Sequence, residues 1–139
     1  MKRIANAFGT AIALCLIVSG CSPATASTNV SLTMTDFSFL PNTITVPAGQ
    51  EITIDVTNSG AVAHDLMIMQ AGYELVANQH VHAEEHGNAY WEQDLLEPGH
   101  TLTSTFLAPS APGEYQIVCG VPGHFEAGMV GKLLVVASQ

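Results

Sequence analysis

From Val30 onward, apolar residues recur at every second position in short runs, and turn residues close each run. Val30, Leu32 and Met34 alternate with Ser31, Thr33 and Thr35. Ile44 and Val46 alternate with Thr43 and Thr45, and Ile52, Ile54 and Val56 alternate with Thr53, Asp55 and Thr57. A period of two sends one side chain inward and the next to solvent, which is the signature of a half-buried strand. Pro47-Ala48-Gly49 and Asn58-Ser59-Gly60 supply turns. Further strands are expected at His64 to Met69, Thr101 to Phe106, Glu114 to Cys119 and Met129 to Val136. No long stretch has helical periodicity. About seven short strands rich in Thr, Val and Ile predict an all-β chain folded as a Greek-key β-sandwich. Residues 70–99 break the rhythm as a long insertion with room for a short helix.

The first residues follow a different logic. Lys2 and Arg3 precede an apolar run from Ile4 to Val18 that is too short, and too closely followed by polar residues, to span a bilayer. The run ends in Val18-Ser19-Gly20-Cys21, which resembles the lipobox of bacterial lipoproteins. The expected organisation is a lipoprotein signal peptide over 1–20, a flexible tether over 21–29 that begins at a lipidated Cys21, and one domain over 30–139. An ordinary secretory signal cleaved near Ala24 or Ala26 is the alternative. Both routes export the chain, and the first anchors it to a membrane facing the periplasm or the cell exterior.

Export reshapes the cysteine and charge inventory. Of Cys15, Cys21 and Cys119, only Cys119 remains as a thiol in the folded body, so no disulfide framework is available there. A lone thiol outside the cytoplasm is an oxidation liability unless something occupies it, and a metal is one such occupant. With Lys2 and Arg3 removed, Lys132 is the single Lys or Arg left against twelve acidic residues. Such a surface repels nucleic acid and anionic headgroups and attracts a cationic partner.

The chemistry concentrates in Cys119-Gly-Val-Pro-Gly-His124-Phe-Glu-Ala-Gly-Met129, a loop between two expected strands. Thiolate and thioether suit copper, above all its cuprous state, and imidazole suits both oxidation states. A trigonal site of two histidines and one cysteine with a weak axial methionine needs one more histidine. His64, placed after the 58–63 turn at the start of a strand, supplies it. Pro122 and Gly123 are expected to turn the loop, and Gly128 to let the backbone approach the metal. Taken singly, a buried cysteine, a core methionine and a structural histidine are the commoner readings, and zinc seldom takes methionine. It is the four together, at this spacing, that point to copper.

With those residues in view, the chain resembles a cupredoxin, the type 1 blue copper family, and within it the auracyanins by its Cys-x₄-His-x₄-Met spacing around Pro-Gly-His. It is also similar to azurins and plastocyanins, whose loops are shorter. Pro41 to Gly49, the approach from Asn58 to His64, and Pro112 to Tyr115 carry the likeness further. The resemblance implies one type 1 copper per chain held by His64, Cys119, His124 and Met129, with electrons passing at the ring edge of His124 within an apolar patch. Asp65 departs from it, since azurins and plastocyanins usually have asparagine there. An aspartate can accept a backbone hydrogen bond from the cysteine loop but cannot donate one, and its charge lowers the reduction potential.

The leading function is therefore a one-electron carrier and not an enzyme, probed against two others. The expected partners are redox proteins, such as a cationic c-type cytochrome or a membrane electron-transport complex, met by a monomer. A periplasmic copper storage or delivery protein is the alternative, favoured by His80, His82 and His86, which with Glu84 and Glu85 either form a second metal site or a solvated loop. A nitrite- or oxygen-reducing enzyme would need a second, open copper site. A dinuclear electron-transfer centre would need two bridging cysteines. Met67 and Met69 are read as packing residues or added soft ligands, and His100 as an exposed turn residue.

Overall fold

The computed structural model of the chain describes residues 25–76 and 87–138. Its strands run β1 (Asn29–Thr35), β2 (Ser38–Leu40), β3 (Thr43–Pro47), β4 (Glu51–Asn58), β5 (His64–Met69), β6 (Ala89–Leu96), β7 (Thr101–Leu107), β8 (Gly113–Val118) and β9 (Val130–Val136). They form a four-stranded sheet in the order β2-β1-β4-β7 and a five-stranded sheet in the order β3-β9-β8-β5-β6. Two pairings are parallel, β1 with β4 and β3 with β9, and the others are antiparallel. The expected all-β sandwich is what the chain builds.

Alternation explains how the sheets meet. Leu32 and Met34 of β1 and Ile52, Ile54 and Val56 of β4 are buried against Leu66 and Ile68 of β5, Ile117 of β8, and Leu133 and Val135 of β9. Burying each such side chain contributes roughly 1.5–3 kcal/mol relative to leaving it in water. The hydroxyl of Tyr115 bonds the carbonyl of Ala111 at 2.8 Å, which fixes the entry to β8.

Strand β5 differs from the others because all six of its residues are buried. Leu66 and Ile68 face the main core, while Met67 and Met69 pack with Leu75, Val118 and Phe125 in a second apolar cluster on the opposite side of the sheet. Gln116 holds the segment after β5 over that cluster, accepting from the Leu75 N–H at 2.8 Å and donating to its carbonyl at 3.0 Å. Met67 and Met69 are thus packing residues.

The insertion expected over 70–99 contains a strand that the sequence did not announce. Its second half is β6, which pairs antiparallel with β5 at the sheet edge, and Trp91 lies against Phe106 at 5.0 Å between ring centroids. Among the described residues there is no α-helix. His80, His82, Glu84, Glu85 and His86 lie outside the described residues, as do Cys15 and Cys21. No helix among the described residues is long and apolar enough to cross a membrane.

Candidate metal centre

At one end of the sandwich, the β4–β5 turn, the β1–β2 turn and the loop joining β8 to β9 come together. Asn58, fully buried at the end of β4, organises the first. Its side-chain amide donates to the carbonyls of Val62 and Leu96, both at 2.8 Å, and its side-chain oxygen accepts from the Gly60 N–H at 2.9 Å. The turn is thereby tied to β6, and His64 enters β5 fully buried.

The loop from Cys119 to Met129 closes on itself. The His124 N–H bonds the Val121 carbonyl at 3.0 Å, the Met129 N–H bonds the His124 carbonyl at 3.0 Å, and the Cys119 N–H reaches the Met129 carbonyl at 3.4 Å. Gly123 turns the chain at φ +88°, as expected. Gly128 is needed for its φ of +101°, and a Cβ there would meet nothing. A close approach to side chains occurs at Gly120, where a Cβ would lie 2.8 Å from Met67 Cε and 2.9 Å from Asp65 Oδ2.

The folding of these segments brings the donors to one point. Cys119 Sγ lies 3.4 Å from His124 Nδ1 and 4.0 Å from His64 Nδ1, and the two Nδ1 atoms are 3.0 Å apart. One ligand atom from each of the three residues falls within 4.8 Å of the others. Met129 is fully buried in the same core cluster as Cys119. Two imidazole nitrogens, one thiol sulfur and one thioether fit a single copper ion in type 1 arrangement, with soft sulfur and borderline nitrogen in a site shielded from water.

Protonation follows from the surroundings. Burial pushes the Cys119 thiol up to about 12, and the charge of Asp65 adds to the effect. A bare thiolate is therefore disfavoured, and a cation must displace the proton. Partial burial, and then the charge of His64, holds His124 below the usual histidine range, which keeps its ring neutral and able to ligate at neutral pH. Asp65 Oδ1 accepts the Gly120 N–H, as the sequence allowed, and so fastens β5 to the cysteine loop.

Two residues at the site were absent from the sequence reading, Asp36 and Phe37 in the β1–β2 turn. The Asp36 carboxylate lies 3.1 Å from His64 Nε2, and the Phe37 ring packs edge-on to His124 at 4.9 Å and to His64 at 6.3 Å. Their signal in the sequence is faint, a two-residue polar-aromatic turn between alternating runs. Not every apolar residue of the loop reaches the surface. Phe125 is buried in the second cluster, so the apolar rim around His124 consists of exposed Pro122, Gly123, Ala127 and Gly128 with partly exposed Phe37. His100 is exposed in the β6–β7 turn, as expected.

The family model for the cupredoxin-like domain matches residues 9–135. The chain belongs to the cupredoxin-like family. Among characterised cupredoxins it is 32% identical over 123 residues to the copper-resistant cuproprotein CopI of Rubrivivax gelatinosus, covering 81% of this chain and 68% of that one. It is 34% identical over 112 residues to auracyanin-A of Chloroflexus aurantiacus, covering 72% and 68%. The solved structure of reduced auracyanin from Roseiflexus castenholzii superposes with a TM-score of 0.69 at 29% identity, covering 81% of this chain and 99% of that cupredoxin.

Proposed function

We propose that this cupredoxin is a mononuclear blue copper electron carrier whose ion is held by His64, Cys119 and His124 with Met129 as the weak axial donor. The observation that carries the reading is the convergence of Cys119 Sγ with both Nδ1 atoms on a loop closed by its own hydrogen bonds. Copper bound there supplies a one-electron couple between cupric and cuprous states. The chain's contribution is to hold still. His64 is fixed by the Asn58 turn, and the other three ligands by a loop clamped between β8 and β9, so little has to move when the charge changes. His124 is only half-buried and stands among the exposed residues of the rim, which makes its ring the point where a partner can come close.

Export, a lipid anchor at Cys21 and a cationic partner complete the proposal. Glu92, Asp94 and Glu97 are exposed on or next to β6 and, with Glu74, Glu84 and Glu85, give the 70–99 region half of the acidic residues. They would steer a c-type cytochrome, while the rim around His124 makes the contact. The second reading, copper storage or delivery, is favoured by the likeness to a copper-resistant cuproprotein.

An absorption spectrum of the copper-loaded protein tests the centre, and its failure to show an intense visible charge-transfer band would refute it. Cys119→Ser should remove that band. Fast reversible electron exchange with slow copper release supports the carrier, and the opposite pattern supports delivery.

A further inference from the structure

We infer that Asp36 is the positioning residue for His64: its carboxylate holds the imidazole by its Nε2–H, turns Nδ1 toward the metal and biases the centre toward the cupric state. The inference rests on the copper reading and adds a residue from a different turn to it.

The contact is built. Asp36 Oδ1 lies 3.1 Å from Nε2 of a histidine that is fully buried. An ionised carboxylate can only accept, so Nε2 carries a proton, and in the neutral ring that ligates a metal Nδ1 then keeps its lone pair. That Nδ1 is the atom facing Cys119 Sγ and His124 Nδ1. The carboxylate is itself held, because the Ala61 N–H donates to Oδ1 at 3.1 Å and to Oδ2 at 2.9 Å. Gly60 leaves the space in which this happens. A Cβ there would collide with Asp36 Oδ1 and stand 2.9 Å from His64 Nε2. The other nearby acceptor, Asn58 Oδ1, is engaged by the Gly60 N–H. Three separate features of the two turns thus converge on one imidazole–carboxylate bond.

A carboxylate on the far nitrogen of a ligating histidine fixes its tautomer and raises its basicity. A more basic ligand and an added negative charge both stabilise the doubly charged ion more than the singly charged one. Asp36 is therefore expected to lower the reduction potential. Its side chain is about one-third exposed, and solvent screening moderates the effect without cancelling it.

Asp36→Asn tests this on the copper-loaded full chain, because it keeps an acceptor and the shape and removes the charge. The expected result is a loss of cupric affinity of about tenfold relative to cuprous affinity, read as a rise in potential of about 59 mV for the one-electron couple. Asp36→Glu should return part of the shift. An unchanged potential in an Asn variant that keeps its visible band would overturn the inference. Nitrogen-15 NMR of the unaltered cuprous protein tests it without any substitution. A downfield, slowly exchanging His64 Nε2–H is expected, and a freely exchanging one would equally refute it. Absence of the visible band in the unaltered protein would instead refute the copper centre, so the two failures are distinguishable.

Discussion

Raising the pH on the metal-free protein ionises Cys119 in the unfolded chain long before it does so in the fold. The thiol is fully buried, and burial followed by the charge of Asp65 moves its pKa from 9.0 to about 12. Below about pH 9 both states keep the proton, and Cys119 contributes no pH dependence. Between 9.0 and 12 the unfolded chain has lost the proton while the fold retains it, so the unfolded state is favoured. The slope approaches about 1.4 kcal/mol of lost stability per pH unit, amounts to about 2 kcal/mol near pH 10.5, and reaches about 4 kcal/mol at its limit. Urea unfolding of the metal-free protein and of Cys119→Ser, each near pH 8 and near pH 10.5, isolates this contribution. Other titrating groups affect both proteins alike, and serine does not ionise. The unaltered protein should lose about 2 kcal/mol more than the variant between the two conditions. Equal losses would mean that the thiol ionises as readily inside the fold as outside it, and the argument that a cation must displace its proton would fall.

The remaining predictions concern the axial donor, the anchor and the partner. Met129→Leu should raise the reduction potential and Met129→Gln should lower it, since the first removes a donor and the second supplies a harder oxygen; voltammetry showing neither shift would exclude Met129 from the axial position. Cys21→Ser should move the protein out of the membrane fraction, because a lipid anchor holds more firmly than the acidic surface can; unchanged fractionation would point to an uncleaved N-terminal segment. The rate of electron transfer with a cationic cytochrome should fall as salt shortens the Debye length from about 10 Å at 0.1 M, and a flat salt series, or no loss of rate in a Glu84→Gln, Glu85→Gln double variant, would remove the steering role of the 70–99 region.

Strands that alternate over five or more residues were legible because one of their faces is buried. Strand β6 was not, because it lies at a sheet edge and presents Glu92 and Asp94 to solvent, so its apolar members do not stand out as a run. Strand β2 is only three residues long. The ligand set was legible because three of its four members share one loop. Asp36 and Phe37 were hidden by distance, since Asp36 sits 28 residues before His64 and meets it only through the β1–β2 turn. Gly120 and Gly128 of the cysteine loop show the limit of composition alone. A glycine can serve a positive φ, as Gly128 does, or a close approach, as Gly120 does, and only the packing of Met67 and Asp65 tells which.

That packing gives Asp65 a double role. By accepting the Gly120 N–H it keeps the thiol end of the loop fixed to β5, the strand that begins with His64. Its charge also acts on Cys119, opposing a thiolate that stands alone. A cupric ion held by His64, Cys119, His124 and Met129 would reverse the sign of that effect, because the Asp65 carboxylate would then favour the more highly charged ion. Gain of one electron would lower the ion's positive charge beside that carboxylate, at a cost greater in a water-poor site than in solvent. Asp36, on the far nitrogen of His64, would add to the same effect. Two of the contacts that hold the ligand-bearing segments, Asp65 to Gly120 and Asp36 to His64, are thus made by carboxylates that would also oppose reduction. An asparagine after His64 could accept the same backbone hydrogen bond, so the carboxylate's distinct contribution is electrostatic, and it would bias a copper centre here toward a lower potential than its four ligands alone would set.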